Sequence, residues 1–248
     1  MAFPVVASTA ESPVTSAGTS HAITLPGTIR DQDLLIIVFG KAQAVTLNAL
    51  SGWTELVDTN SANAETILYH YCDGTETSPA TFTSSGSTKS ASVCYRITGA
   101  ENPTTQVPEL STVATATSVN PNATTCTPTG GAKDYLWLTF FISAGEEADD
   151  DTWVSATPTS YTNTLQTTSG TAGVASTNCS TASAEQQLNA SSQDAAAWTM
   201  AQSLAWRAWT LAIHPSSRKS MPGARKDSVP DLRLRDNDPW ALTGWRQQ

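Results

Sequence analysis

Residues 31–40 read DQDLLIIVFG, and residues 134–145 read DYLWLTFFISAG. Each stretch opens with an aspartate, continues as a dense apolar run and ends at a glycine. The run DLLIIVF, residues 33–39, is too short for a buried helix and has no polar face. It therefore predicts a central β-strand that is covered on both sides. The second run suggests that the chain uses the same strand pattern twice.

The segments around the two runs follow the same order in both halves of the chain. In the second half, ATTCT precedes Pro128 as HAITL precedes Pro26 in the first. The expected correspondences are Asp33 with Asp134, Trp53 with Tyr161, Cys72 with Cys179, Phe82 with Trp198, and Tyr95 with Leu211. The growing separation between partners is explained by loop insertions, which cost little free energy. The alternative is that any two β-rich halves resemble each other.

These patterns predict an all-β protein, an antiparallel, jelly-roll-like β-sandwich of two similar halves with an extended C-terminal tail. The halves are residues 1–110 and 111–214, and the tail is residues 215–248. Candidate strands in the first half span residues 20–25, 33–39, 53–57, 65–72, 80–84 and 90–97. One copy alone would expose an apolar face, which a second copy can cover. Each copy could instead close its own small sandwich, but we favour one compact body.

One stretch of the second half is ambiguous. Residues 185–206 are rich in Ala and Gln, which a short helix would accommodate. By analogy with the first half, we expect a strand over residues 199–213.

Charge and composition exclude several classes of partner. The net charge is −9, and an acidic body is a poor match for nucleic acid. No apolar run reaches the roughly 18 residues of a membrane span, so we expect no membrane partner. The N-terminal sequence MAFPVVASTAESP lacks the features of a signal peptide. We therefore expect a protein that is not exported by a signal-dependent route.

No motif in the chain indicates an enzyme, a metal site or a cofactor. The four cysteines, Cys72, Cys94, Cys126 and Cys179, form no CxxC pair, so we expect no zinc and predict reduced thiols. A Cys72–Cys94 disulfide stays open as an alternative. We expect His21, His70 and His214 to be structural, and the acidic run at 146–151 to be a solvated loop. A sugar-binding groove would require Tyr69, Tyr71, Trp153 and Tyr161 to lie together.

The tail has a different composition from the body. Seven Lys and Arg against four Asp give residues 215–248 a charge of +3, which leaves −12 for residues 1–214. Such a segment cannot bury enough apolar surface by itself to offset its chain entropy. Trp and Arg dominate interface hot spots, so we expect the tail to dock onto another subunit. The predicted anchors are Arg225, Arg233, Arg235, Trp240, Leu242, Trp245 and Arg246. Wrapping around its own body is the alternative.

The first hundred residues also contain a series of short motifs. The motif residues are Pro26, Gly27, Asp33, Leu34, Leu35, residues 51–56 (SGWTEL), Tyr71, Asp73, Gly74, residues 81–83 (TFT), Arg96, Gly99 and Ala100. This series resembles structural proteins of tailed bacteriophages; the second half matches loosely and the tail is not covered. The resemblance implies a β-sandwich on a particle surface or tail, without a known active site.

The resemblance and the residues together lead to one expected function. We expect a non-enzymatic virion component, assembled in the host cytoplasm, most simply a capsid-decoration or head-fibre-type accessory subunit. Its partners would be the major capsid protein or a neighbouring structural protein, and it would form a homo-oligomer on the particle. The alternative is a tail-associated receptor- or carbohydrate-binding module.

Overall fold

A computed structural model describes residues 2–144, 153–170 and 178–217. The compact unit extends from Met1 to Ser217. In its described residues there are thirteen strands: β1 (Val5–Ile23), β2 (Leu34–Lys41), β3 (Thr54–Asp58), β4 (Ala64–Tyr71), β5 (Ala80–Thr98), β6 (Glu109–Leu110), β7 (Ala114–Ser118), β8 (Lys133–Ala144), β9 (Val154–Ala156), β10 (Thr162–Thr168), β11 (Cys179–Ala190), β12 (Thr199–Met200) and β13 (Leu204–Ile213). Within the described residues there is no helix long and apolar enough to cross a membrane.

The described strands form two large antiparallel sheets, one from each half of the chain, and a small pair of β9 with β12. The predicted boundary at residue 110 is too late, because β6 (Glu109–Leu110) pairs with β13 in the second sheet. The first sheet has the strand order β1-β5-β2-β4-β3, and the second has the order β10-β11-β8-β13-β6, with β7 also paired to β13. Read in the same direction, β3-β4-β2-β5-β1 corresponds to β10-β11-β8-β13 followed by β7 and β6. The predicted β-sandwich of two similar halves is therefore confirmed.

Strand register defines which residues correspond between the two sheets. Ile36 pairs with Tyr95 in the first sheet, and Leu138 pairs with Leu211 in the second. All four side chains lie in the buried cluster between the sheets. With the expected match of Tyr95 to Leu211, Ile36 therefore corresponds to Leu138. By the same correspondence Asp33 is equivalent to Tyr135, the residue after Asp134. The predicted match of Asp33 to Asp134 is therefore wrong by one position. A slip of one residue matters, because it moves every side chain of a strand to the other face of the sheet.

The third and fourth strands repeat even a local irregularity. Thr54 pairs with Tyr69 and Thr162 with Glu185, and both strand pairs contain one register shift, between Glu55 and Val57 in the first sheet and between Thr162 and Leu165 in the second. This pairing agrees with the expected match of Trp53 to Tyr161. The expected match of Cys72 to Cys179 is wrong, because Cys179 pairs with the far end of β8.

The inner faces of the two sheets share one central core. Side chains from β2, β4 and β5 interleave with side chains from β8 and β13 in a single buried cluster. Its innermost members include Ile36, Val38, Leu138 and Phe140, all with no exposed surface. The two sheets therefore form one sandwich, as the preference for one compact body anticipated.

Each half also covers the outer face of its own sheet. In the first half, the Phe39 ring lies 5.2 Å from the His21 ring, because the end of β1 folds over β2. In the second half, Phe141 makes the same kind of contact with Trp153 and Trp198. Every residue of β2 is buried, which confirms the prediction of a central strand covered on both sides.

Several element boundaries differ from the sequence predictions. The segments predicted as separate strands at 80–84 and 90–97 form one long strand, β5, because β1 pairs with it along its length through several bulges. Most of β1 precedes the predicted segment 20–25. The ambiguous stretch contains no helix in the structure: residues 185–190 continue β11, and β13 begins at Leu204.

Two residues of the motif series in the first half form a buried ion pair. Arg96 Nε lies 2.6 Å from Asp33 Oδ2, and the same carboxylate accepts a hydrogen bond from the backbone N–H of Arg30. The motif glycines Gly74 and Gly99 have positive φ angles, which only glycine adopts at little cost. The motif thus describes ion-pair and turn positions that stabilise the first half.

Candidate functional site

The predicted tail anchors lie outside the described residues. This holds for Arg225, Arg233, Arg235, Trp240, Leu242, Trp245 and Arg246. The acidic run at 146–151 also lies outside them. Residues 215–217, which were assigned to the tail, belong with the body: Pro215 bridges to Ala100, and the Ser216 N–H donates to the Gly99 carbonyl at 2.9 Å.

The four aromatic residues considered for sugar binding do not form one groove. Trp153 and Tyr161 are buried in the core on the outer face of the second sheet. Tyr69 and Tyr71 are half-buried and pack against the central core instead. No common surface can therefore present these four rings to a sugar.

Two of the three histidines have structural contacts. His21 is fully buried between the hydroxyls of Ser84 and Ser90, at 3.0 and 3.1 Å. His214 is 2.8 Å from a carboxylate oxygen of Glu109, which ties the end of β13 to β6. Burial lowers the pKa of both histidines, which favours their neutral forms. Both agree with the expectation of structural histidines.

His70 has a different environment. Its Nδ1 lies 2.5 Å from the backbone carbonyl of Gly52, and its Nε2 lies 2.9 Å from Oε1 of Glu76. A carbonyl can only accept a hydrogen bond, so Nδ1 carries a proton and donates it to Gly52. In the neutral ring, Nε2 would then direct a lone pair at a carboxylate. A proton or a cation between Nε2 and Glu76 is needed to make this contact favourable.

The carboxylate of Glu76 is held in place by the turn that precedes it. Its Oε1 accepts a hydrogen bond from the Asp73 N–H at 2.8 Å, and its Oε2 accepts one from the Gly74 N–H at 3.1 Å. Burial by itself would raise the pKa of Glu76, but hydrogen bonds from His70 and from this backbone outweigh it and lower the pKa. Glu76 is therefore an oriented carboxylate with an oxygen directed at His70.

Cys72 completes a cluster of three potential metal ligands. One ligand atom each from His70, Cys72 and Glu76 lies within 4.8 Å of the other two. All four cysteines of the chain are buried free thiols, and no Cys72–Cys94 disulfide is present. Burial, followed by the neighbouring carboxylates, raises the pKa of the Cys72 thiol. The thiol is thus uncharged unless a cation replaces its proton.

The cluster opens into a recess beside Trp53. The Trp53 ring lies 5.2 Å from the His70 ring at an angle of 30°, and 5.5 Å from Phe82. Ser51, Thr81 and the cluster residues His70 and Glu76 help to line this Trp53 recess, whose volume is about 290 Å³. An aromatic wall next to an imidazole and a carboxylate can bind a small polar molecule.

The described residues of the second half contain no such cluster. Leu35 pairs with His70, and Trp137, at the corresponding position, pairs with Gln186. Two residues further along, Leu188 stands where the first half has Cys72. Because the same fold forms with Gln186 and Leu188, the scaffold does not require a histidine and a cysteine at these positions.

The sequence reasoning missed this cluster because it searched for cysteine pairs. The available signal was the spacing in HYCDGTE: His70 and Cys72 are two apart on one strand, which places them on the same face. The Asp73-Gly74 turn returns the chain so that Glu76 meets them. Both nitrogen and sulfur ligands are those that zinc accepts.

No family model, curated protein or solved structure matches this chain.

Proposed function

We propose that this chain is a non-enzymatic structural subunit of a phage particle, attached to its neighbours through the segment from Arg218 to Gln248. The observation that supports the proposal is that the described part of the body has extensive hydrophobic clusters of its own. All buried residues of the four hydrophobic clusters in the described residues lie between Ile23 and Ile213. The basic, tryptophan-containing composition of residues 218–248 is what we propose contacts another subunit.

Charge supports the same assignment. The segment carries excess positive charge, whereas the body is strongly acidic. Opposite charges on attachment segment and body favour head-to-tail contacts between copies, as well as docking onto an acidic capsid surface. Its tryptophans, Trp240 and Trp245, provide the large apolar side chains that anchor protein interfaces.

The resemblance in the first half supports a particle component rather than an enzyme. Its motif residues include the buried Asp33–Arg96 pair and the positive-φ glycines, which hold the sandwich together. These residues stabilise the body, which in this proposal faces solvent on the particle. The attachment to the particle is assigned to residues 218–248.

The test is incorporation into particles. The chain truncated after Ser217 retains the contacts of residues 215–217 with the body, so it should fold with an unchanged circular dichroism spectrum. We expect it to be absent from purified virions, and the W240A/W245A double variant to be depleted at least tenfold. Arg30→Glu, a charge reversal on the exposed surface of the body, is the matched control and should be incorporated normally.

Immunogold labelling of the same virions tests the location. Label over the heads supports decoration or a head fibre, and label confined to the tail supports the tail-associated role. Normal incorporation of the truncated chain, or the absence of the full-length chain from every particle, would overturn the proposal.

A second candidate function is carbohydrate binding at the particle surface, and the Trp53 recess favours it. Half-buried tryptophans stack on sugar rings, and the neighbouring His70 and Glu76 can hydrogen-bond to hydroxyls. A glycan array with the full-length protein is the direct test. Saturable binding that Trp53→Ala abolishes would support this function, with Tyr71→Ala, on the opposite face of the neighbouring strand, as the control.

A further inference from the structure

The first step concerns the geometry of the His70–Cys72–Glu76 cluster. Zinc binds nitrogen, sulfur and oxygen ligands at about 2.0–2.3 Å, so three ligands on a tetrahedral ion lie about 3.2–3.8 Å apart. The three ligand atoms of the cluster lie within 4.8 Å of one another, and His70 Nε2 and Glu76 Oε1 are 2.9 Å apart. Side-chain shifts of about an ångström would place all three around one ion.

The second step concerns the outer contacts of these ligands. Metal-bound histidines usually donate their other ring N–H to a carbonyl or carboxylate, which fixes the tautomer. His70 does this through Nδ1 and the Gly52 carbonyl, which leaves Nε2 as the ligand atom. The Glu76 carboxylate is oriented by two backbone N–H groups in the same way. Both contacts depend on glycines with positive φ, Gly52 and Gly74.

The third step concerns the identity of the ion. A thiol and an imidazole are poor ligands for Ca²⁺ and Mg²⁺, which prefer oxygen, whereas one nitrogen, one sulfur and one oxygen suit Zn²⁺. From this donor set, its outer contacts and the different residues in the repeated half, we propose that His70, Cys72 and Glu76 bind one Zn²⁺ ion. The fourth position faces the Trp53 recess and takes a water molecule or a small polar ligand.

The effect of the ion follows from where its ligands lie. His70 is near the end of β4, Cys72 follows that strand and Glu76 lies beyond the Asp73-Gly74 turn, so one ion fixes the turn to the sheet. Binding to the folded chain alone stabilises it by mass action. Because a thiol proton must leave when zinc binds, the ion also converts Cys72 into a thiolate ligand.

The experiment uses Co²⁺ as a spectroscopic substitute for Zn²⁺ on the full-length chain, purified without a histidine tag and stripped with a chelator. Coordination by a thiolate gives an intense charge-transfer band in the near ultraviolet, which is absent without sulfur ligation. We expect one Co²⁺ per chain with this band, and its loss when one equivalent of Zn²⁺ is added. Isothermal titration with Zn²⁺ gives the affinity.

Three variants and one control assign the ligands. Cys72→Ser should abolish the charge-transfer band, and His70→Gln and Glu76→Gln should each raise the Kd for Zn²⁺ at least tenfold. Cys94→Ser, which also replaces a fully buried cysteine of the outer core, should keep both the band and the affinity. Near-ultraviolet circular dichroism verifies that each variant is folded.

The outcomes that overturn the proposal are clear. The site is refuted by a full-length chain that shows no charge-transfer band and no saturable Zn²⁺ binding. It is equally refuted if a folded Cys72→Ser variant retains the band, because the thiolate would then come from another cysteine. These results bear on the metal alone and leave the virion incorporation test independent.

Discussion

Ile36 and Leu138 occupy the same position in the two sheets and meet in one core. Each is fully buried, and each belongs to the central cluster between the sheets. Their cross-strand partners, Tyr95 and Leu211, also correspond. The duplicated halves therefore depend on each other for burial of their inner faces, although each covers its own outer face.

This shared core predicts that the body unfolds as one unit. Ile36→Ala and Leu138→Ala should each lower the free energy of unfolding by about 2–5 kcal/mol. Urea unfolding followed by tryptophan fluorescence and far-ultraviolet circular dichroism should show one transition in both variants. Val113→Ala, at an exposed position, is the control. Two separate transitions, of which each variant shifts only one, would contradict the shared core.

The close approach of the two sheets at Gly40 leads to a second prediction. A Cβ atom at Gly40 would lie 2.6 Å from Thr181 Oγ1 and 3.1 Å from the Ala91 carbonyl oxygen. Gly40→Ala should therefore destabilise the protein by about 1–3 kcal/mol through overpacking. At Gly27, no atom lies within 4 Å of such a Cβ, so Gly27→Ala should change thermal stability little.

A second variant separates overpacking from other effects of Gly40→Ala. Thr181→Ala removes the nearest clashing atom, so the double variant should lose less stability than the two single variants together. Additive losses would show that the Thr181 contact does not limit the approach of the sheets.

Buried Glu65 should make stability depend on pH. Burial raises its pKa from 4.5 to about 7, with opposing contributions from Thr59, Arg207 and Lys41. Because the folded state holds this proton more tightly, the stability from it is complete below pH 4.5 and is lost as the pH rises towards 7. Glu65→Gln should remove this slope and make the protein more stable than the wild type at pH 8, by up to about 3 kcal/mol.

Urea unfolding at a series of pH values between 4.5 and 8 measures this effect. Glu11→Gln, which changes an exposed carboxylate, is the control and should leave the slope unchanged. If the wild type and Glu65→Gln show the same dependence on pH, the proton is not held at Glu65.

A hydrogen bond between the sheets leads to a fourth prediction. The hydroxyl of Tyr95 donates to Ser183 Oγ at 2.5 Å in a buried position. A double-mutant cycle with Tyr95→Phe and Ser183→Ala should give a coupling free energy of about 1 kcal/mol. A parallel cycle that combines Tyr95→Phe with Ser155→Ala, on strand β9, which pairs with β12, should be additive. A coupling near zero in the first cycle would mean that the hydroxyls do not interact in solution.

The sequence predicted the fold class, the repeat and the correspondence of Trp53 with Tyr161. Apolar runs flanked by glycine turns are local signals, so they indicated buried strands without knowledge of their partners. The register that relates the two halves was harder to predict from the sequence. Both faces of β2 and β8 are apolar, so no alternation of polar and apolar residues distinguished the inner face from the outer face. For that reason Asp33 was aligned with Asp134, one residue away from the correct partner.

The amino-acid sequence by itself determined that this chain forms two similar apolar sheets followed by a basic, tryptophan-containing segment. Only the tertiary structure decided where unlike side chains meet. His70 lies near the end of β4 and Cys72 directly follows that strand, so the sequence places these two close together. The turn that brings Glu76 to them and the Gly52 carbonyl that fixes the His70 ring come from separate loops. Such a site depends on how loops close over a sheet, and spacing along the chain does not specify that distance.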